Sequence, residues 1–351
     1  MTYIAKPRVH HPSLPTNSLG LTRRDYEGSM STLCAGCGHD SVTAAIIEAF
    51  WKLEIPPHRV AKLSGIGCSA KTPTYFLGGA HGFNAVHGRM PAIASGAAAA
   101  NRELTYIGVS GDGDSLSIGL GQLCHAIRRN VNMLYVLENN GVYGLTKGQF
   151  SASAEIGSKT KRGEANRQAP IDPVLLALTL GATFVARSFS GDKAQLVPLI
   201  EAGIAHKGFA LIDVISPCVT FNDHEGSTRS YQATRERDVE IVAADFVPPA
   251  QEITSNYTMG DVAHVTMHDG SMLRFRRVAD GYDPTDRDAA WSYLQERQAA
   301  GEVPTGLLYV DTSEPDMHDL LETIEAPLTA LPFEELCPGA EVLDQIQARW
   351  V

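Results

Sequence analysis

At 351 residues, with 44% hydrophobic and 20% charged side chains, the chain is long enough to bury a sizeable core and to carry an appendage. Its 40 Asp and Glu against 29 Lys and Arg give a net charge of −11, which argues against nonspecific nucleic-acid binding. No stretch is long and apolar enough to span a membrane and residues 1–20 lack the apolar centre of a secretory signal, so a cytoplasmic protein with reduced cysteines is expected.

Residues 1–30 are polar, proline-bearing and aperiodic, and read as an arm over the core or over a partner. From 31 to 235 helices and strands alternate. Cys34-Ala-Gly-Cys37 precedes a helix through Val42, Ile46, Ile47 and Phe50, and the small-residue run Ala92 to Ala100 suggests close helix packing. Leu104 to Ser110 and Met133 to Leu137 are short apolar runs of the kind that form buried parallel strands. Between them Leu116, Leu120, Leu123, Cys124 and Ile127 recur at helical spacing, closed by Arg128 and Arg129. Ser151 to Pro170 is polar and without period, a lid, a partner-contacting loop or a surface excursion. The alternation resumes with a helix over Pro173 to Leu180, a strand over Ala182 to Arg187, a helix over Asp192 to His206 and a strand over Phe209 to Ile215. The remainder, 236–351, changes character and is expected to be a C-terminal extension, either a subunit interface or a cap. Pro248-Pro249 breaks the pattern, Asp261 to Met267 and Ser271 to Val278 flank an Asp269-Gly270 turn as a hairpin, and Asp286 to Ala300 is an amphipathic helix. The expected fold is α/β, a parallel sheet flanked by helices, with that extension.

Two loops carry the chemistry. Gly111-Asp112-Gly113-Asp114 ends the first apolar strand, and Asn139-Asn140-Gly141-Val142-Tyr143 ends the second. In an open α/β sheet both lie at the carboxyl ends of their strands, where ligands bind, so Asp112 and Asn140 can converge. Magnesium takes about six hard oxygens, commonly a carboxylate together with phosphate oxygens. Asp112 offers the carboxylate, Asn140 an amide oxygen and Val142 a backbone carbonyl. Gly111 and Gly113 let the backbone approach an anion, and the following helix turns its N-terminus to the same charge. The pattern reads as a site for a divalent metal and a diphosphate.

Of the six cysteines, four sit at loop positions: Cys34 and Cys37, Cys68 in Gly65-Ile66-Gly67-Cys68-Ser69, and Cys218 after Ser216-Pro217. Four thiolates suit a structural zinc or a [4Fe–4S] cluster. Spacing alone does not separate zinc, redox dithiol and cluster. Cys124 and Cys337 have no place in the pattern and are expected as small buried hydrophobes.

The run GDGDSLSIGLGQLCHAIRRNVNMLYVLENNGVYGLTKGQ, residues 111–149, resembles the diphosphate-binding module of thiamine diphosphate enzymes, and more narrowly the β subunit of 2-oxoacid:ferredoxin oxidoreductases. The resemblance implies thiamine diphosphate, Mg2+ and one [4Fe–4S] cluster, the last on Cys34, Cys37, Cys68 and Cys218. It implies oxidative decarboxylation of a 2-oxoacid with transfer of the acyl group to coenzyme A, the cluster taking the electrons singly and passing them to ferredoxin. Run backwards, the same site would fix carbon dioxide. It further implies that Ile66, Gly67, Cys68 and Ser69 touch the cofactor, that His87 of His87-Gly88-Arg89 reaches the diphosphate, and that Asp114, Gly144 and Leu145 shape the cofactor site. Lys71 is the candidate partner for the distal carboxylate of 2-oxoglutarate, and Lys147 for positive potential near substrate or diphosphate.

The resemblance also implies an incomplete site. Thiamine enzymes pair this module with a second one that presents a glutamate to the aminopyrimidine, and no second run of βα units is evident, so an α subunit is expected to supply it. The leading substrate is 2-oxoglutarate, with pyruvate or a broad range of 2-oxoacids as the alternative. A non-oxidative thiamine decarboxylase or ligase would leave the four cysteines without a purpose, and a purely electron-carrying subunit would not need the two metal loops. Ferredoxin is acidic, as is this chain, so Lys159, Lys161, Arg162 and Arg167 are the candidates for a local basic patch. Neither a nucleic acid nor a membrane is expected as a partner.

Overall fold

The computed structural model describes residues 11–160, 162–248, 262–267, 270–277, 281–337 and 339–350. The carboxyl-end loops that matter below hang from one ten-stranded sheet. In chain order its first half comprises α1 (Gly38–Lys52), β1 (Val60–Ser64), α2 (Thr72–Tyr75), β2 (His81–Asn84), α3 (Met90–Ala100), β3 (Thr105–Gly111), α4 (Leu120–Arg128) and β4 (Met133–Asn139). A small ribbon, β5 (Val142–Tyr143) with β6 (Gln149–Phe150), stands apart, and α5 (Pro173–Thr179), β7 (Phe184–Phe189), α6 (Lys193–Ala205) and β8 (Phe209–Ile215) follow. The second part holds α7 (Tyr231–Arg237), β9 (Asp238–Val247), β10 (Val262–Thr266), β11 (Met272–Arg277), α8 (Arg287–Ala299), β12 (Val303–Val310), α9 (Met317–Leu320), α10 (Phe333–Leu336) and α11 (Ala340–Gln347).

The strand order is β10-β11-β9-β12-β7-β8-β4-β3-β1-β2, and the six strands from β7 to β2 are parallel. Strands β4, β7 and β8 are buried along their whole length, which is why they are mostly apolar, with Glu138, Arg187 and Asp213 as their charged residues. Helices α3 and α4 pack together, α1 packs against α6, and α5 packs on β7 and β8. Phe50, Phe76, Tyr135, Phe184 and Phe209 are fully enclosed in the core. Each such side chain contributes about 1.5–3 kcal/mol of burial energy. Because β1 sends its neighbours β2 and β3 to opposite sides, a crevice opens at the carboxyl ends of β1, β3 and β4.

Three expectations change. The segment from 236, set apart by its sequence pattern, enters the same sheet: β12 runs antiparallel to β7 and parallel to β9, and β10 and β11 form the hairpin beyond. Pro249, Asp261, Asp269 and Val278 of the expected break and hairpin lie outside the described residues. The single helix expected after Asp112 is in two pieces, a π-helical turn over Gly113–Ile118 and then α4. They are divided at Gly119, whose N–H donates to the Asp114 carbonyl at 2.8 Å. Cys124 is half-buried and Cys337 exposed, so neither is a core residue: Cys124 lies at the edge of the α4 contact and Cys337 follows a short helix with no buried side chain. Residues 11–30 lie across α1, held by the fully buried Tyr26, whose hydroxyl accepts from Asn17 at 3.0 Å. No helix among the described residues is long and apolar enough to cross a membrane.

Candidate functional site

The loops after β1, β3 and β4 enclose a cavity of about 450 Å³. Ile66, Gly67, Cys68 and Ser69 come from the first, Asp112, Gly113 and Asp114 from the second, Asn140, Val142, Gly144 and Leu145 from the third, and His87 enters from beside β2. Lys71 and Lys147 are not in the wall. Lys71 is half-buried on the turn behind Cys68, and Lys147 is exposed with a left-handed backbone (φ 81°).

Asp112 is 1% exposed and its two carboxylate oxygens differ. Oδ2 accepts from the Gly141 N–H at 2.9 Å, from the Ser153 hydroxyl at 2.6 Å and from the Ser151 hydroxyl. Oδ1 has only a long contact, 3.4 Å, from the Asn140 N–H. Burial raises the Asp112 carboxyl above its ordinary range, offset by the Ser151 and Ser153 hydroxyls and the Arg229 charge. A cation at Oδ1 would supply the missing counter-charge.

The neighbouring Asp114 is used differently. It accepts from the Gly88 N–H at 2.7 Å and the Ser110 hydroxyl at 2.9 Å, which ties the His87-Gly88 loop to the end of β3. Gly88 has φ 69°, and a β-carbon there would stand 2.7 Å from Gly119, so both requirements favour glycine. Gly113 is fixed by Tyr143, whose hydroxyl donates to the Gly113 carbonyl at 3.0 Å and whose ring would meet a β-carbon at 2.5 Å. Asn140 Oδ1 accepts from the Val142 N–H at 3.0 Å, and the Asn140 carbonyl accepts from Asn222 at 2.6 Å.

The four loop cysteines come to the same end of the sheet. Cys37 precedes α1, and its N–H donates to the Cys34 carbonyl at 3.0 Å. The Thr220 hydroxyl, two residues beyond Cys218, donates to Cys34 Sγ at 3.3 Å. A β-carbon on Gly144 would lie 3.5 Å from Cys68 Sγ and 3.6 Å from Cys218 Sγ, so both sulfurs face the same residue of the cavity wall. Burial pushes the Cys37 thiol up to about 12. Cys68 is also raised by burial and by Cys218, against a lowering influence from Lys71. Among the described residues no three His, Cys, Asp or Glu side chains are close enough to share one metal ion.

Two residues that sequence reasoning passed over adjoin this group. His39 lines the cavity, its Nδ1 2.7 Å from the Ser216 hydroxyl and 3.4 Å from Glu138. Both Glu138 oxygens accept from the Thr72 hydroxyl, at 3.2 and 3.1 Å. Burial lowers His39 to about 4 and raises Glu138 well above the carboxylate range, so both are held neutral. A carboxylate in the otherwise apolar run Met133–Leu137 plus Glu138 was the available signal. Gly111, Ile118, Tyr143, Thr146 and Gln149 complete the wall.

Residues 65–214 match the family model described as thiamine pyrophosphate enzyme, C-terminal TPP binding domain. The 2-oxoacid:ferredoxin oxidoreductase subunit beta of Saccharolobus solfataricus is 44% identical over 191 residues, 54% of this chain and 63% of that one. The 2-oxoglutarate synthase subunit KorB of Methanocaldococcus jannaschii is 36% identical over 54% of this chain and 69% of its own length. In the solved structure of 2-oxoglutarate:ferredoxin oxidoreductase from Magnetococcus marinus with 2-oxoglutarate, coenzyme A and succinyl-CoA bound, a chain superposes with TM-score 0.70 and 31% identity. The match covers 86% of this chain and 89% of that one.

The chain belongs to the β subunits of 2-oxoacid:ferredoxin oxidoreductases. In this β subunit the thiamine diphosphate-binding domain begins at Gly65, just after β1, and ends within β8. It therefore takes in all three cavity loops and Cys68, and leaves Cys34, Cys37 and Cys218 on flanking segments. The aligned stretch spans 63% of the length of the Saccharolobus relative.

Proposed function

We propose that this β subunit holds thiamine diphosphate with Mg2+ in the 450 Å³ cavity and one [4Fe–4S] cluster on Cys34, Cys37, Cys68 and Cys218. With an α subunit it would catalyse the coenzyme A-dependent oxidative decarboxylation of 2-oxoglutarate to succinyl-CoA, with ferredoxin as electron acceptor. The observation that carries this reading is the shared wall: Cys68 lines the cavity, and the sulfurs of Cys68 and Cys218 both face Gly144, also in the wall. When bound, thiamine diphosphate supplies carbanion stabilisation for loss of carbon dioxide, and a [4Fe–4S] cluster a one-electron acceptor.

The residues present suit those groups. Asp112, Asn140 and the Val142 carbonyl form the hard oxygen set that Mg2+ shares with diphosphate oxygens. Gly67, with φ 100°, and Gly113 bring backbone rather than side chains to the anion. His87, exposed at the rim, reaches toward the diphosphate, and Leu145 offers an apolar support for the rings. Four thiols gathered from separate loops fit a cluster, whose ligands stand further apart than those of a single ion.

Partner and substrate follow from chemistry and from likeness. None of the cavity-lining residues, among those described, is a glutamate, so the group that would act on the aminopyrimidine must come from elsewhere. Ile118 and Leu145 are 47% and 54% exposed at the mouth, with Phe83 and Val86 also exposed on and beside β2, an apolar rim for the α subunit. The C-terminal segment, with exposed Phe333, Leu343 and Trp350, offers it a second contact. The relatives named for 2-oxoglutarate favour that substrate over pyruvate. Lys71 would face its distal carboxylate and Lys147 would add positive potential once the partner completes the site. Copurification of the two subunits, followed by viologen reduction with 2-oxoglutarate or pyruvate and coenzyme A, tests the reading.

A further inference from the structure

We infer that a chain of polar contacts, Asp172–Arg187–Asp213–Asn139–Ser153, half-buried at Asp172 and buried from Arg187 onward, positions the carboxylate of Asp112 and fastens both ends of the 151–172 loop to it. This rests on Asp112 as the cation ligand. Arg187, at the middle of β7, donates through Nη2 to Asp172 Oδ1 and through Nε to Asp213 Oδ2, each at 2.7 Å. Asn139 Nδ2 donates to Asp213 Oδ1 at 2.9 Å, and the Ser153 hydroxyl lies 2.9 Å from Asn139 Oδ1 and 2.6 Å from Asp112 Oδ2. Arg187 is 6% exposed, and Asp213, Asn139 and Ser153 are fully buried. The single Ser153 proton stands between two acceptors, Asn139 Oδ1 and Asp112 Oδ2, so the chain reaches Asp112 through that one hydroxyl.

The chain decides which oxygen of Asp112 is available. With Oδ2 taken by Ser151, Ser153 and the Gly141 N–H, a cation is offered Oδ1 alone, in the direction of Asn140. Such outer contacts typically alter metal affinity by about 10- to 100-fold when removed.

The same contacts hold a loop. Ser151 and Ser153 open the polar segment 151–172 and Asp172 closes it, where it also accepts from the Val174 and Leu175 N–H groups to cap α5. The Ile171 N–H donates to the Ala152 carbonyl at 2.7 Å, drawing the two ends together. Lys159, Arg162 and Arg167 lie on the exposed arc between. Filling the Asp112 site therefore stiffens the base of this arc, and emptying it loosens the base.

The test uses the copurified complex, stripped of divalent metal and titrated with Mn2+ and thiamine diphosphate. Mn2+ binding is read by electron paramagnetic resonance, and the arc by trypsin cleavage after Lys159, Arg162 and Arg167. The inference expects Ser153→Ala to weaken Mn2+ binding by about tenfold or more and to leave cleavage fast even with Mn2+ present. Asn139→Ala, which leaves the direct contacts of Asp112 in place, should give a smaller loss in the same direction, and Ser153→Thr should restore both readouts. Wild-type Mn2+ affinity and wild-type protection in both alanine variants would overturn the inference. If Asp112→Ala binds Mn2+ as the wild type does, it is the assignment of the cation site that fails, not the chain of contacts alone.

Discussion

The Thr220 hydroxyl donates to Cys34 Sγ across 3.3 Å, joining the CxxC segment before α1 to the loop after β8. Of the four loop cysteines, this bond ties together the two segments most distant in sequence. Hydrogen bonds to the sulfurs of an iron–sulfur cluster stabilise its reduced form. Thr220→Val is expected to lower the midpoint potential of the proposed cluster, measured by redox titration of the copurified complex, without changing its iron content. An unchanged potential would mean that Cys34 is not a cluster ligand.

Gly113 is boxed in by the Tyr143 ring, which a β-carbon would meet at 2.5 Å. Gly113→Ala is expected to weaken thiamine diphosphate binding by at least tenfold, a loss of about 1.4 kcal/mol or more. Adding Tyr143→Phe should not rescue it, because the ring remains, whereas Tyr143→Ala should rescue part of it. Calorimetric titration with thiamine diphosphate separates these outcomes.

Burial lowers His39 from 6.5 to about 4. An unfolded His39 takes up its proton first as the pH falls, so this residue costs stability progressively between about pH 6.5 and 4. The full effect is about 3 kcal/mol. Glu138 works in the opposite sense: its raised folded value means stability is lost as the pH rises above 4.5 toward that value. His39→Gln, which retains a partner for Ser216, should flatten the acid side of a denaturation profile, and Glu138→Gln the alkaline side. Profiles parallel to the wild type would refute the buried neutral pair.

Lys71 lies three residues beyond Cys68 rather than in the cavity wall, and its charge partly offsets the burial that raises the Cys68 thiol. If it also meets the distal carboxylate in the assembled enzyme, Lys71→Ala should raise the KM for 2-oxoglutarate by more than tenfold and leave that for pyruvate nearly unchanged. An equal loss on both substrates would confine Lys71 to the electrostatics of Cys68.

The site was legible where its signals are local. Gly111 to Asp114 and Asn139 to Tyr143 each join a mostly apolar strand to a loop whose glycines are required, and the cavity forms between them. The strand over Phe209 to Ile215 has the bounds read from its pattern, because Gly208 precedes it and Ser216-Pro217 follows it, and its one polar residue, Asp213, sits inside the run. What escaped depends on packing. Strand β9 opens on Asp238 and Glu240 and is only partly buried, and β12 carries Pro304 and Gly306, so neither has a clean strand pattern. The pairing of His39 with Glu138 joins α1 to β4 across a wide gap in sequence, and no periodicity marks it. The division of the helix at Gly119 follows from the close approach of Gly88, another contact between distant loops.

The central claim is that the thiamine site and the cluster adjoin within this one subunit. It is tested most directly by mixing the oxidised, anaerobic complex with 2-oxoglutarate alone and freezing it for electron paramagnetic resonance. The account predicts a reduced-cluster signal that appears with carbon dioxide release and is lost in Asp112→Ala. Carbon dioxide release with the cluster still oxidised, and the aldehyde as product, would contradict it.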